Sequence, residues 1–443
     1  MVHIDTGGSP RAGRASAAVA LCLALVAGCG TLSGRPGADG DPPEATGPHR
    51  VTAAPETPAD AGDGTADSPE TAAQRRVALR QAWQVTQVDE DPRHYALASD
   101  GTRVIALRRE IGEASDADIS GYDGADGKKL WTRRLQWVGS NTPVAAGQTV
   151  VIPSGGDSTA DVKDPMEYVA LDSATGAERW RVKVTQRALM RDNLSLPGPP
   201  AGAVLDGVFY YSDGPKLVGV DLVTGKVKYR RTSKTHLAVA GPVVAGDRIA
   251  VIVKPNPFTH NKGVQGNVRG LAILGKDLAP VHQLDFPKFA EVDEIVTSGD
   301  IVVAAQSGGS SARVWGIDAG AGKALWDWPL PDKQHVGLPV GGVLPLVDES
   351  VNHKPQFVGH DILTGKKLWT LAPRQSEEAV DGDRAMGVAD GTLFGLGHGV
   401  EIVDTATGKA IFGQQFTPRG GGLVVAAAGR IVIYNHDGLM GFD

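Results

Sequence analysis

Cysteine is nearly missing from this 443-residue sequence, and the two that occur, Cys22 and Cys29, both lie near the N-terminus. The rest of the chain therefore has no disulfide, no thiolate metal site and no cysteine nucleophile. The stability of its folded part must come from packing alone.

The sequence also lacks a long hydrophobic run and, in its folded part, a strong charge of one sign. Its apolar run near the N-terminus, residues 15–27, is too short for an ordinary membrane-spanning helix. The formal net charge is −7. Residues 30–74 contribute eight acids and two arginines, and residues 1–29 contribute one net positive charge. About −2 remains for the residues that follow, which argues against a nucleic-acid partner.

Recognisable catalytic and metal motifs are missing as well. No His-Glu-x-x-His, Gly-x-Ser-x-Gly or phosphate-loop pattern occurs, and His398 and His436 lie in stretches typical of turns. Two acidic stretches, 110–118 and 157–167, leave calcium as an alternative because hard cations bind carboxylates, although neither has the calcium-loop spacing. The sequence predicts no catalytic residue, no metal ligand and no cofactor.

The N-terminus has the features of an export signal. Arg11 and Arg14 precede the apolar run, which ends in Leu-Val-Ala-Gly before Cys29. This ending resembles the lipobox of bacterial lipoproteins, which implies lipidation of Cys29 and attachment to the cell membrane on its extracytoplasmic side. A plain signal peptide is the alternative. Residues 1–29 are therefore interpreted as a lipoprotein signal peptide.

Residues 30–76 are rich in Pro, Gly, Asp, Glu and Thr and have almost no large apolar side chain. Such a segment cannot bury enough surface to offset the entropy lost on ordering. It is predicted to be a disordered linker that tethers the following domain, residues 77–443.

A repeat organises that domain. An Asp is followed after three residues by Gly and after three more by an aromatic residue, and adjacent copies lie 43 to 49 residues apart. The copies are Asp123-Gly127-Trp131, Asp172-Gly176-Trp180, Asp221-Gly225-Tyr229, Asp318-Gly322-Trp326, Asp361-Gly365-Trp369 and Asp404-Gly408-Phe412. This period is typical of a propeller, solenoid or array.

Each position in the repeat has a physical reason. Asp bonds its own backbone at a hairpin start, and Gly supplies the positive φ of the turn. The aromatic residue lies on the next strand, where its ring can bury against a neighbouring unit. A small residue stands two positions before Asp in five copies, which leaves room for the ring. Trp137 and Trp328 lie off the repeat.

Two further strand-like runs separate each aromatic residue from the next Asp, so each unit is expected to have four antiparallel strands. A degenerate unit near 271–282, which lacks the Asp, Gly and aromatic residue, raises the count to seven. The C-terminal residues 439–443 lead into a further turn whose last strand the N-terminus can supply through Trp83. We therefore expect an all-β, eight-bladed propeller closed by N- and C-terminal strands.

Asp-x-x-Thr-Gly-x-x-x-Trp, as in Asp172 to Trp180 and Asp361 to Trp369, resembles the tryptophan-docking repeat of quinoprotein (PQQ-like) propellers. That resemblance covers about residues 77–443. The family includes PQQ-dependent alcohol dehydrogenases and cofactor-free scaffolds that bind partner proteins. The dehydrogenases carry a vicinal disulfide beside PQQ, which this cysteine-free domain cannot form, and no calcium-ligand set can be aligned.

The loops predict a function. Loops between second and third strands are long at 108–117, 154–167, 254–267 and 348–355, and the joining segment 187–200 opens on the same side. Insertions on one face of a repeat protein often mark a binding face. We expect a non-catalytic scaffold or sensor that binds a protein or cell-envelope ligand there. A PQQ-dependent oxidoreductase or another propeller enzyme is the alternative.

Overall fold

Strands and the turns between them make up the part of the chain that the computed structural model describes. The described residues are 80–86, 94–109, 116–136, 143–154, 166–184, 202–234, 236–255, 270–286, 292–306, 312–330, 334–337, 339, 341–348, 356–371, 386–389, 392–396, 399–404, 407–415, 423–435 and 438–443. Within these ranges no helix is long and apolar enough to cross a membrane. The predicted signal peptide, the linker and Cys29 lie outside them.

The first strand, β1 (Gln81–Thr86), stands apart from the strands that follow it in the chain. The next twelve form three four-stranded antiparallel sheets, each in sequence order. Blade 1 contains β2 (His94–Ser99), β3 (Arg103–Arg109), β4 (Asp116–Asp123) and β5 (Lys129–Gln136). Blade 2 contains β6 (Val144–Ala146), β7 (Thr149–Ser154), β8 (Met166–Asp172) and β9 (Glu178–Val184). Blade 3 contains β10 (Ala203–Leu205), β11 (Val208–Asp213), β12 (Lys216–Asp221) and β13 (Val227–Thr232).

Four more blades follow with the same strand order. Blade 4 contains β14 (His236–Ala245), β15 (Arg248–Pro255), β16 (Gly270–Gly275) and β17 (Pro280–Asp285). Blade 5 contains β18 (Val292–Ser298), β19 (Ile301–Gln306), β20 (Arg313–Asp318) and β21 (Lys323–Pro329). Blade 6 contains β22 (Gln334–Val336), β23 (Val343–Asp348), β24 (Gln356–Asp361) and β25 (Lys367–Leu371). Blade 7 contains β26 (Met386–Ala389), β27 (Thr392–Leu396), β28 (Gly399–Asp404) and β29 (Ala410–Gln415).

The expectation of eight blades needs a correction. Counted as continuous four-strand segments, the blades number seven. The strands left over are β1, β30 (Leu423–Ala427), β31 (Arg430–Asn435) and β32 (Gly438–Phe442), and they form one further four-stranded sheet in the order β1-β32-β31-β30. We call it the composite sheet, because the first and the last three strands described in the chain form it together and no single segment spans it.

Neighbouring sheets meet through their first strands. β30 contacts β26 and β2, β2 contacts β6, and the contacts continue through β10 and β14 to β18. The first strands are therefore innermost, and the fourth strands, together with β1, are outermost. Buried apolar clusters lie between successive sheets, as where Tyr168 of blade 2 packs with Phe209 of blade 3. Because each sheet buries surface only on its neighbours, the domain can exceed the size of a single core.

Candidate binding face

The repeat motif folds into one kind of turn. In Asp172, Asp221, Asp361 and Asp404, Oδ1 accepts bonds from the backbone N–H and the hydroxyl of the Thr three residues on, at 2.7–3.0 Å. The Gly that follows has φ near +68° and donates back to the Asp carbonyl. Hydrogen bonds to the carboxylate lower the pKa of Asp221, first from Lys228 and then from Thr224. The turn is thus fixed by its own side chains.

Each turn receives a ring from the preceding sheet. Trp131 Nε1 donates to Ser173 O, Trp180 to Leu222 O and Trp326 to Ile362 O, each at 2.8 Å. The rings lie on the turn glycines, and a Cβ built on Gly176 would be 2.6 Å from Trp131. Trp369 lies on Gly408 in the same way, and Trp83 of the composite sheet lies on Gly127 and donates to Gly124 O at 3.2 Å. The side chain of Phe412 lies outside the described residues.

The same Trp rings also pack against the third strand of their own blade. Next to each ring position the fourth strand has a β-bulge. It occurs in all seven blades, at the third-strand residues Gly121, Ala170, Gly219, Ile273, Gly316, Gly359 and Ile402. A Cβ at Gly121 or Gly316 would overlap the ring of its partner Trp. In these blades the small residue two positions before Asp is therefore required for the close approach of the Trp ring.

Blades 3 and 4 depart from this pattern. Tyr229 stacks on Tyr210 at 6.5 Å, and it is Tyr210 whose hydroxyl donates to Lys276 O of blade 4 at 2.6 Å. In blade 4 His282 takes the Trp position: its ring lies on Gly322, with Nε2 3.0 Å from Gly320 O. The sequence repeat includes neither Tyr210 nor His282, because the repeat has Phe, Tyr or Trp at one fixed offset from Asp.

Trp328 is a second departure. Although it lies off the repeat, its ring stacks on Trp326 at 5.6 Å and on His360 of blade 6 at 4.8 Å. Its Nε1 is buried and has no hydrogen-bond partner within the described ranges. Trp328 therefore belongs to the contact between blades 5 and 6.

Strand topology separates the two ends of the sheets. Connections between first and second strands and between third and fourth strands lie on one face, which we call the turn face. Connections between second and third strands and between sheets lie on the opposite face, the loop face. The longest connections, 155–165, 185–202, 256–269 and 372–385, all belong to the loop face. On the turn face no connection is longer than the six residues 337–342.

Described residues of blades 2 and 3 show what lies beneath the loop face. Tyr168 packs edge-on against Phe209 at 5.2 Å and lies 5.1 Å from Tyr211. Burial, and then the neighbouring Tyr211 and Asp213, raise the pKa of Tyr168 above its usual value. Ser212 Oγ is buried without a hydrogen-bond partner in the described part of the chain. The buried tyrosines thus form a rigid aromatic base beneath the loop face.

A quinone cofactor and its cation would need carboxylate donors near the innermost strands. Asp293 and Glu294 of β18 are the only carboxylates on the eight innermost strands described. Among the described residues no group of three His, Cys, Asp or Glu side chains could hold a metal ion. The described inner strands therefore do not supply a donor set that fits PQQ with its cation.

The fold and the ring-on-glycine contacts define a PQQ-like β-propeller. The family model described as outer membrane protein assembly factor BamB matches residues 115–194 and 165–341, just over half of the chain. The chain belongs to this family. No curated protein matches it.

Solved structures share the fold at low sequence identity. A europium-containing methanol dehydrogenase superposes with a TM-score of 0.53 at 11% identity, over 80% of this chain and 84% of that one. Quinohemoprotein alcohol dehydrogenase from Comamonas testosteroni gives 0.50 at 12% identity, over 82% and 76%. BamB from Moraxella catarrhalis gives 0.48 at 16% identity, over 83% and 97%. Identities this low show the fold alone.

Proposed function

We propose that this chain is a non-catalytic binding propeller, a scaffold or sensor that holds a protein or cell-envelope ligand on its loop face. One observation carries the proposal: every long connection emerges on one face of a frame that ring-on-glycine contacts hold rigid. Loops on a rigid scaffold are where binding residues concentrate. The family's BamB description names an assembly factor, which agrees with partner binding.

The inner strands support a non-catalytic role. Catalysis by a quinone needs carboxylates and a cation around the cofactor, and these strands supply only Asp293 and Glu294. We derive no reaction from this chain. The quinoprotein dehydrogenases that share the fold make oxidation the competing function.

Loop shortening tests the proposal. Residues 256–269 or 155–165 are replaced by a two-residue turn, and each full-length variant is used to capture partners from detergent-solubilised membranes. We expect captured partners to be lost while the melting temperature stays unchanged. The control is Leu363→Ser with Val223→Ser, which alters two exposed apolar side chains on the turn face. Loss of capture in the control but not in the loop variants would contradict binding at the loop face.

We further propose that lipidation of Cys29 anchors the protein on the extracytoplasmic side of the cell membrane. Two acyl chains give stable attachment, whereas one chain gives marginal attachment. Cys29→Ser should leave the leader uncleaved or release the protein from the membrane pellet, as measured by fractionation and mass spectrometry. Wild-type membrane recovery of a cleaved Cys29→Ser protein would argue for a different anchor.

A further inference from the structure

Positive charge is distributed unevenly around the rim of the propeller. The outermost strands of blades 1 to 3, β5, β9 and β13, together contain nine Lys and Arg residues and one Glu. The other five outermost strands, β1, β17, β21, β25 and β29, contain two Lys and two Asp. Three consecutive edges thus hold all of the net positive charge of the outermost strands.

Edge protection alone does not explain this distribution. Lysine on an edge strand prevents sheets from pairing edge to edge, and every outermost strand needs that protection. Yet β1, β17 and β29 have no Lys or Arg at all. The chain as a whole is acidic, so its overall composition does not produce a basic region by default. We call the outermost strands of blades 1 to 3 the basic rim.

Most of the rim cations already have a partner inside the protein. In blade 2, Arg179 pairs with Asp172 at 2.6 Å, Arg181 pairs with Glu167 and Glu178, and the exposed Lys183 lies 4.0 Å from Glu167. Lys228 pairs with Asp221 at 2.9 Å, and Lys129 lies over the ring of Tyr122. Acids also occur on the third strands of these blades, such as Asp118 opposite Arg134. They lie one strand further inward, so the outermost layer remains basic.

The curvature of the basic rim limits which kinds of partner can contact all three edges at once. The three edges lie side by side on the convex outside of a ring, so a flat bilayer could not touch them all at once. A single extended peptide would pair with one edge only. A flexible polymer with repeated negative charges can follow the curve and contact all three edges.

We propose that the basic rim of blades 1 to 3 binds a flexible polyanion that carries phosphate groups, on a surface separate from the loop face. Lys and Arg on the outermost strands neutralise successive charges of the polymer and release its counterions. Arg adds planar, two-pronged contacts to phosphate oxygens. The surface recognises charge spacing and not a sequence of monomers.

The experiment uses the full-length chain and inorganic polyphosphate labelled at one end, with binding followed by fluorescence anisotropy at several salt concentrations. Lys183→Glu with Arg230→Glu reverses two exposed charges of the basic rim. Lys323→Glu with Lys367→Glu makes the same change on the outermost strands of blades 5 and 6. Melting curves check that both variants are folded. The first pair should weaken binding about tenfold or more and lower the salt slope by about 1.5, and the second pair should leave both unchanged.

Three outcomes would overturn the proposal. One is equal loss of affinity in both variant pairs, which would indicate a diffuse effect of net charge. Another is no binding of polyphosphate by the wild-type chain at low salt. The third is binding to vesicles of phosphatidylglycerol and phosphatidylcholine but not to polyphosphate, which would assign the rim to a membrane surface.

Discussion

Gly176 and Gly147 have similar backbone conformations and different surroundings. Their φ values are +69° and +54°, a region that residues with a Cβ rarely adopt. A Cβ on Gly176 would be 2.6 Å from the ring of Trp131, whereas a Cβ on Gly147 would meet nothing within 4 Å. The pair therefore separates the cost of the conformation from the cost of displacing the ring.

Replacing each glycine by alanine measures that difference. Gly147→Ala should cost about 1–2 kcal/mol of unfolding free energy, because only the positive φ is penalised. Gly176→Ala should cost roughly 1–3 kcal/mol more, because the ring must move. Denaturant unfolding of both variants gives the two values. Equal destabilisation would show that the Trp131 contact contributes little.

Trp180 and Trp328 differ in how their indole N–H groups are satisfied. Trp180 is buried and donates to Leu222 O at 2.8 Å, while the buried Nε1 of Trp328 has no partner in the described residues. Trp180→Ala should cost roughly 3–5 kcal/mol, and Trp328→Ala should cost less, because the native indole already bears an unmet hydrogen bond. Thermal and denaturant melts compare the two. A larger loss for Trp328→Ala would reverse the ranking of the two contacts.

His360 makes the contact between blades 5 and 6 sensitive to pH. Burial lowers the pKa of His360 below its usual value, although a bond to Gly365 O opposes this, and Lys367 lowers it further. The unfolded chain therefore takes up a proton first as pH falls. The stabilising contribution is full above the unfolded pKa, near 6.5, and is lost as pH falls toward the folded pKa.

We expect the wild-type melting temperature to fall more between pH 7.5 and pH 5.5 than that of His360→Gln, which cannot titrate there. Trp fluorescence over the same range should report the change, because Trp328 stacks on the imidazole at 4.8 Å. The control is His282→Gln, which removes a histidine from the contact between blades 4 and 5. An identical pH dependence in wild type and His360→Gln would exclude this histidine as its source.

Among the strands, β1 has the most distant partner in sequence. It pairs with β32, and Asp443 N donates to Arg80 O at 3.0 Å. Its Trp83 lies on Gly441 of the same sheet and on Gly127 of blade 1. The strand thus links the composite sheet to blade 1 and covers the outer edge of β32.

Deleting residues 78–87 should lower both the melting temperature and the steepness of the unfolding transition, because β32 loses its partner and blade 1 loses its ring. Trp83→Ala should reproduce part of the loss, while Gln84→Ala, which alters an exposed side chain of the same strand, should not. An unchanged melting curve after deletion would mean that β1 is dispensable for closure.

Sequence spacing predicts the hairpins well and the exceptional blades poorly. Asp, Gly and the ring keep fixed offsets because a local turn and one bulge determine them, as in Asp172 to Trp180. Blade 4 keeps the bulge but makes a shorter turn, in which Leu278 takes the left-handed conformation at φ 65°. His282 then docks in place of Trp. The sequence alone did not show this, because the substitution depends on the neighbouring Gly322 and not on local spacing.

At the scale of the molecule, the binding surfaces follow from the closed ring. Alternating strand directions send all long connections to one face, so their concentration there could be predicted from the repeat. The basic rim could not, because the total charge of the domain is near zero and only the assignment of outermost strands separates β5, β9 and β13 from the rest. Net charge averages over strands that the fold places on different surfaces.

The ring also determines how binding and oxidation can be told apart. A quinone in the central channel would need a cation and several carboxylates near it, and the innermost strands supply two adjacent acids, Asp293 and Glu294. We therefore expect no stoichiometric complex when PQQ and calcium are added to the purified full-length chain, and no alcohol- or sugar-dependent dye reduction. Absorbance after gel filtration measures the first, and a dye assay the second. Asp293→Asn with Glu294→Gln is the matched control. Any PQQ absorbance that this variant retains does not depend on these two acids. Stoichiometric PQQ binding with turnover, lost in that variant, would establish an oxidoreductase and replace the binding function proposed for this propeller.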